Sequence, residues 1–190
     1  MVTRHALFFG FMGLLVLERV LELALSRRNA QRAFARGGVE TGQGHYRVMV
    51  VFHTLFLAAC VLEVLGLRRP FPGALGWAAL AGALLAQGLR YWAIATLGER
   101  WNSRIIVVPG LAPVTGGPYR FLRHPNYVAV ALELLCVPLI HGAWLTAIAF
   151  TLGNALLLRV RIRAEEAALG APWRQAFEGR PRFLPEVHRG

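Results

Sequence analysis

Lysine and aspartate are absent from this chain: all 21 basic residues among its 190 are arginine, and all 10 acidic residues are glutamate. Without lysine there is no Schiff-base amine and no phosphate-loop lysine, and without aspartate no triad that aspartate completes. Cysteine is scarce as well. Cys60 and Cys136 sit far apart within apolar runs, without CxxC spacing, and read as small hydrophobes packed between helices. The histidines and cysteines show no metal-ligand spacing, so no metal is expected. Neither GxGxxG nor GxSxG occurs, which argues against a dinucleotide-binding turn and a hydrolase elbow. Internal repeats and low-complexity linkers are missing too.

Apolar residues, by contrast, make up 56% of the chain, above the roughly 45–50% usual for soluble domains. They gather into runs over residues 5–25, 47–66, 74–96 and 126–164, the last broken near Pro138-Leu139-Ile140-His141-Gly142. A spanning helix needs about 20 residues. The expected fold is therefore all-α and integral to a membrane, with five transmembrane helices ending in a helical hairpin. One domain over 1–190 is expected: three spans to residue 96, then a loop, the hairpin and a tail. Arg4 ahead of a short apolar core suggests a signal peptide, but Glu18, Arg19 and Glu22 interrupt that core, so a retained helix is expected.

The formal net charge is +11, which raises the question of nucleic acid. Its placement argues otherwise. Arg27, Arg28, Arg32, Arg36 and Arg47 fall in the first loop, and Arg100, Arg104, Arg120 and Arg123 in the third. Arg159, Arg161, Arg163, Arg174, Arg180, Arg182 and Arg189 fall in the tail, leaving Arg4, Arg68 and Arg69 for the opposite side. That asymmetry places positive loops in the cytosol and the N-terminus outside, with no nucleic-acid partner. The first loop (26–46) holds Gly37, Gly38, Gly42 and Gly44 and reads as irregular; the third (97–124) is punctuated by Pro109, Gly110, Pro113, Gly116, Gly117 and Pro118. A loop that long is more often functional than idle.

Two clusters bracket the hairpin and return to the same membrane face: Arg123-His124-Pro125-Asn126-Tyr127 and Arg161-Ile162-Arg163-Ala164-Glu165-Glu166. Pro125 suits the first turn of a helix, whose free N–H groups form an anion site. Tyr119 and Tyr127 can stack on or hydrogen-bond a ligand, although interfacial aromatics also belong to the membrane belt. Arg161 and Glu165, four apart, share a helix face. Deeper lie Glu18, Arg19, Glu22, Arg90 and Glu133, where unpaired charge is expensive. A Glu–Arg network bordering a cytosol-facing cavity is expected, with Arg90 and Glu133 as candidate substrate-binding residues; structural glue is the alternative. His53, His141 and Asn154 read as hydrogen bonders between helices.

Together with Gly117-Pro118-Tyr119, these clusters resemble the signature of the isoprenylcysteine carboxyl methyltransferase family, over about residues 90–185. The resemblance implies a membrane-embedded enzyme that uses S-adenosyl-L-methionine, releases S-adenosyl-L-homocysteine and has its cofactor pocket and active site in the cytosol. The first half, with Glu18-Arg19-Val20-Leu21-Glu22-Leu23 and Gly44-His45-Tyr46, is similar to a bacterial subgroup acting on alkylpyrones, which implies a bacterial inner membrane. By the same resemblance His124, Pro125, Asn126 and Tyr127 would contact the cofactor, with Tyr119 and the stretch from Leu111 to Val114 completing its pocket. Glu165 would hold the cofactor, Arg161 the substrate oxygen, and Arg123 would orient either. The apolar Ile105-Ile106-Val107-Val108 stands where eukaryotic members carry a polar contact, so that contact does not transfer.

A methyl acceptor attacking a cationic sulfonium should be an anionic oxygen, either carboxylate or hydroxypyrone. Such a group arrives ionised and needs no base, and no base is evident here. The expected partners are a lipophilic or prenylated substrate and membrane lipids. Competing readings are a phospholipid-type N-methyltransferase and a non-catalytic transporter or scaffold.

Overall fold

The computed structural model describes residues 2–183; Arg189 lies outside them. Five α-helices follow one another: α1 Val2–Ala35, α2 Gln43–Gly66, α3 Ala74–Leu97, α4 Pro125–Leu139 and α5 Trp144–Ala176. Two short strands, β1 Val39–Thr41 and β2 Ile105–Val107, pair antiparallel with Glu40 opposite Ile106. The first loop is thus not irregular throughout. No glycine or proline interrupts 26–35, so α1 continues to Ala35, and the turn comes only at Gly37, whose φ is 77°. The break between α4 and α5 falls where the sequence places it, with Gly142 at φ 66°.

Aliphatic side chains cover the outside. Leu14 on α1, Leu62 on α2, Leu85 on α3 and Leu152 on α5 are each 64–73% exposed, more apolar surface than a water-soluble monomer carries. By length and composition, α2 and α5 are able to cross a membrane. In α1 the charges at 18, 19 and 22 interrupt the apolar stretch; in α3 it is diluted by alanine, glycine, Gln87 and Arg90; α4 is shorter, at 15 residues.

Small residues let α3 and α4 pack closely. Ala79, Ala83 and Ala86 are buried on α3, and a Cβ on Gly82 would meet Cys136 Sγ at 2.7 Å. Phe8, Met12, Phe56, Val64, Leu134 and Val137 fill the core beside that contact. Cys60 is fully buried, and both cysteines are free thiols.

Two polar sets tie the helices together. Glu63 of α2 caps α5, accepting from the Thr146 amide and hydroxyl (both 2.7 Å) and the Leu145 amide (3.2 Å), and pairs with Arg69 at 2.9 Å. Nothing in the sequence singled this glutamate out. The second set is the expected Glu–Arg network. Arg19 contacts Glu18 (3.0 Å), Glu22 (2.9 Å) and Glu133 (3.3 Å), while Arg90 donates twice to Glu22 (2.6 and 2.8 Å) and once to Glu133 (3.0 Å). It stitches α1 to α3 and α4. Of the two candidate substrate-binding residues, Arg90 borders the cavity described next, whereas Glu133, engaged by both arginines, stands behind it.

Candidate active site

A cavity of about 690 Å³ opens among α1, α2, α4, α5 and the loop after α3. One limb is polar and ringed by the sequence-predicted residues. Leu111, Val114, Tyr119, Arg123, His124, Asn126, Tyr127, Arg161 and Glu165 all line it. Pro125 does not. It occupies the first turn of α4, with His124 as the preceding residue, so its contribution is to set where His124 and Asn126 stand. A second limb, along α2, α4 and α5, offers a hydrocarbon chain the apolar side chains of Met49, Val50, Leu57, Val130 and Leu157, while Arg19, Glu22 and Arg90 also border the cavity.

Tyr127 is the hinge of the polar limb. Its hydroxyl accepts from Arg161 Nε at 2.8 Å and donates to Glu165 Oε2 at 2.5 Å. His124 stacks on Tyr127 with ring centres 5.3 Å apart, and its Nε2 lies 3.0 Å from Glu166. The two glutamates thus divide: Glu165 faces the cavity, whereas Glu166 turns away and takes two bonds from Arg182, at 2.9 and 2.6 Å. Burial alone would raise the Glu166 carboxyl, but Arg182 and His124 hold it below the usual carboxylate range. Burial, reinforced by Glu165, pushes the Tyr119 phenol well up, so it stays a neutral donor.

Residues after α5 clasp this assembly. The amides of Arg123 and His124 donate to the carbonyls of Pro181 and Arg182, Arg123 Nε donates to the Arg180 carbonyl, and Arg180 donates to the Tyr119 carbonyl at 2.8 Å. Arg123 is therefore tied to the tail by Nε while its side chain still borders the cavity.

The sequence reading missed the turn after α3. Arg161 Nη2 donates to the Ser103 carbonyl at 2.6 Å. That carbonyl is set from α1: Ser26 Oγ accepts from the Ser103 amide (3.1 Å) and donates to Asn102 (2.8 Å), and Asn29 donates to the Trp101 carbonyl (2.8 Å). A polar Trp101-Asn102-Ser103 run at the end of an apolar helix was the available signal. Ile105–Val107, expected to be no polar contact, forms β2 and borders the cavity with apolar side chains.

Four buried polar atoms with no hydrogen-bond partner among the described residues belong to residues of this wall. Arg161 Nη1, Trp101 Nε1, Asn126 Oδ1 and His45 Nε2 are all of this kind, and all four residues border the cavity. Unpaired buried polar groups cost about 1–3 kcal/mol each, so four of them on one cavity wall fit a polar ligand. Two further expectations change. His53 bonds not across helices but to the Met49 carbonyl of its own helix (2.8 Å), and Asn154, 2% exposed, bonds to nothing among the described residues.

Comparison with known proteins identifies the family. Residues 77–171 match the model of the isoprenylcysteine carboxyl methyltransferase family. The Bacillus subtilis (strain 168) uncharacterized protein YpbQ is 40% identical over 164 residues, covering 86% of this chain and 96% of its own. An uncharacterized Haemophilus influenzae protein is 26% identical over 152 residues, 80% of this chain and 88% of its own. The matched segment holds α4, most of α5 and the loop that together carry Tyr127, Arg161 and Glu165, and the chain belongs to the isoprenylcysteine carboxyl methyltransferase family of membrane methyltransferases.

Proposed function

We propose that this protein methylates an acidic oxygen, carboxylate or hydroxypyrone, on a lipophilic substrate, using S-adenosyl-L-methionine. The observation that carries the reading is Arg161, which is 6% exposed, held by Tyr127 and Ser103, and left with Nη1 unpartnered at the cavity. A guanidinium so placed is a seat for an anionic oxygen. An amine substrate would call for a carboxylate in that position, which disfavours the N-methyltransferase reading.

The donor set fits the cofactor. Glu165 and the Trp101 indole suit an amino-acid moiety and its carboxylate, Asn126 offers an amide, and the Leu111–Val114 stretch and Tyr119 supply an apolar wall. When bound, S-adenosyl-L-methionine supplies an electrophilic methyl group on a sulfonium. Tyr127 locks Arg161 and Glu165 in register, Arg161 orients the acceptor oxygen, and the apolar limb receives the tail. Orientation of this kind is a large part of a displacement barrier. No side chain has to take a proton, because the acceptor arrives ionised. All five helices cross the bilayer in this reading, with the N-terminus outside and the arginine-rich loops and the site at the cytosolic edge of a bacterial inner membrane.

Titration calorimetry with S-adenosyl-L-homocysteine tests it. Binding to the purified protein is expected; absence of binding would leave a transporter or scaffold.

A further inference from the structure

The apolar limb of the cavity is not uniformly apolar. Asn154 of α5 is 2% exposed, it borders the cavity, and neither its carbonyl nor its amide nitrogen has a partner among the described residues. On α2, His53 also borders the cavity. Its Nδ1 lies 2.8 Å from the Met49 carbonyl. A carbonyl only accepts, so Nδ1 carries the hydrogen and Nε2 of the neutral ring is left as an acceptor. Their chain neighbours touch, a Cβ on Gly153 coming within 2.8 Å of the Phe52 ring, which brings this part of α2 and this part of α5 together.

An unsatisfied amide at membrane depth costs several kcal/mol unless something meets it. The charged groups around His53 do not. Arg19 of α1 and Arg90 of α3 are taken up by Glu18, Glu22 and Glu133, and Arg161 of α5 is held by Tyr127 and Ser103. The need is therefore for a neutral group that donates to His53 Nε2 and accepts from Asn154, and one hydroxyl does both. Asn154 and Arg161 are seven residues apart on one face of α5, two turns, or about 10 Å.

Building on the methyl-transfer reading, we propose that His53 and Asn154 form a second polar subsite for a hydroxyl carried along the substrate's apolar chain, about 10 Å from the oxygen that meets Arg161. The substrate class is then a hydroxylated amphiphile, not a plain prenyl or fatty chain.

The test uses the full-length protein in lipid nanodiscs and two probes, stearate and its analogue with a hydroxyl on the tenth carbon. Binding of each is measured directly, with and without Asn154→Leu. The hydroxy acid should bind about tenfold tighter to the wild type, the worth of two modest hydrogen bonds, and this ratio should fall toward one in Asn154→Leu and in His53→Leu. Without ligand, Asn154→Leu should melt no lower than the wild type, since it removes an amide that bonds to nothing. Equal affinity for the two acids, a preference that survives Asn154→Leu, or a lower melting temperature of that variant would each overturn the subsite. Methyl transfer to the same acids, followed separately, bears on the reaction alone: a binding preference without methylation leaves the subsite standing and counts against the transferase reading.

Discussion

Two buried charges packed along α5, one at its start and one at its middle, are engaged differently by the fold. Glu63 sits at the start of that helix and Arg161 sixteen residues beyond Leu145, about 24 Å along the axis. Around Glu63 both oxygens are engaged, by the Thr146 amide and hydroxyl, the Leu145 amide and Arg69. Around Arg161 two nitrogens are engaged and the third is not. Burial of a charge therefore marks nothing by itself. A closed hydrogen-bond set marks a strut, and an open one marks a seat for something the protein binds.

The comparison breaks most sharply by exchanging each charge for leucine. Arg161→Leu should lower methyl transfer by about a hundredfold or more, the scale of losing a preorganised donor, while the protein still folds and melts near the wild type. Glu63→Leu should do the reverse, costing about 3–5 kcal/mol of stability as Arg69 loses its partner. Radiometric turnover and thermal melts of both variants decide it, and wild-type turnover in Arg161→Leu removes the arginine from the mechanism.

A finer contrast lies between the adjacent glutamates. Glu165→Ala should weaken S-adenosyl-L-homocysteine binding about tenfold by calorimetry, roughly one charge-assisted hydrogen bond. Unchanged affinity would take Glu165 out of the cofactor site.

Glu166 should show the smallest effect. Its carboxyl is held low in the folded state by Arg182 and His124. A depressed carboxyl contributes stability above its unfolded value, about 4.3, and that contribution is lost as pH falls through the folded value. Arg182 is 53% exposed, so the pair is worth at most about 1 kcal/mol. Hydrogen-exchange protection at the Arg123 and His124 amides, which bond the clasp, should fall in acid and lose this pH dependence in Arg182→Gln. Protection that ignores pH would show the clasp to be held by backbone bonds alone.

The helices were legible because runs of apolar residues punctuated by glycine and proline leave little choice of structure. The bracketing clusters were legible as well: Tyr127, Arg161 and Glu165 do meet, since i,i+4 spacing on α5 and the hairpin turn bring them to one end. Less visible was which partner each polar residue finds. The sequence names no partner for Glu133, which the fold encloses with Arg19 and Arg90. Ser26 and Asn29 read as ordinary loop residues, yet they fix the turn that holds Arg161. Their partners lie about 70 positions away, beyond any periodicity.

The sequence by itself determined an all-helical, arginine-rich chain with a polar cluster at each end of an apolar hairpin, because local spacing and hydropathy act over a few turns. Only the tertiary structure decided which buried polar groups close on one another and which stay open to the cavity. That depends on helix crossings joining residues remote in the chain, such as Gly82 against Cys136 and Gly153 against Phe52, which set how near the polar faces come.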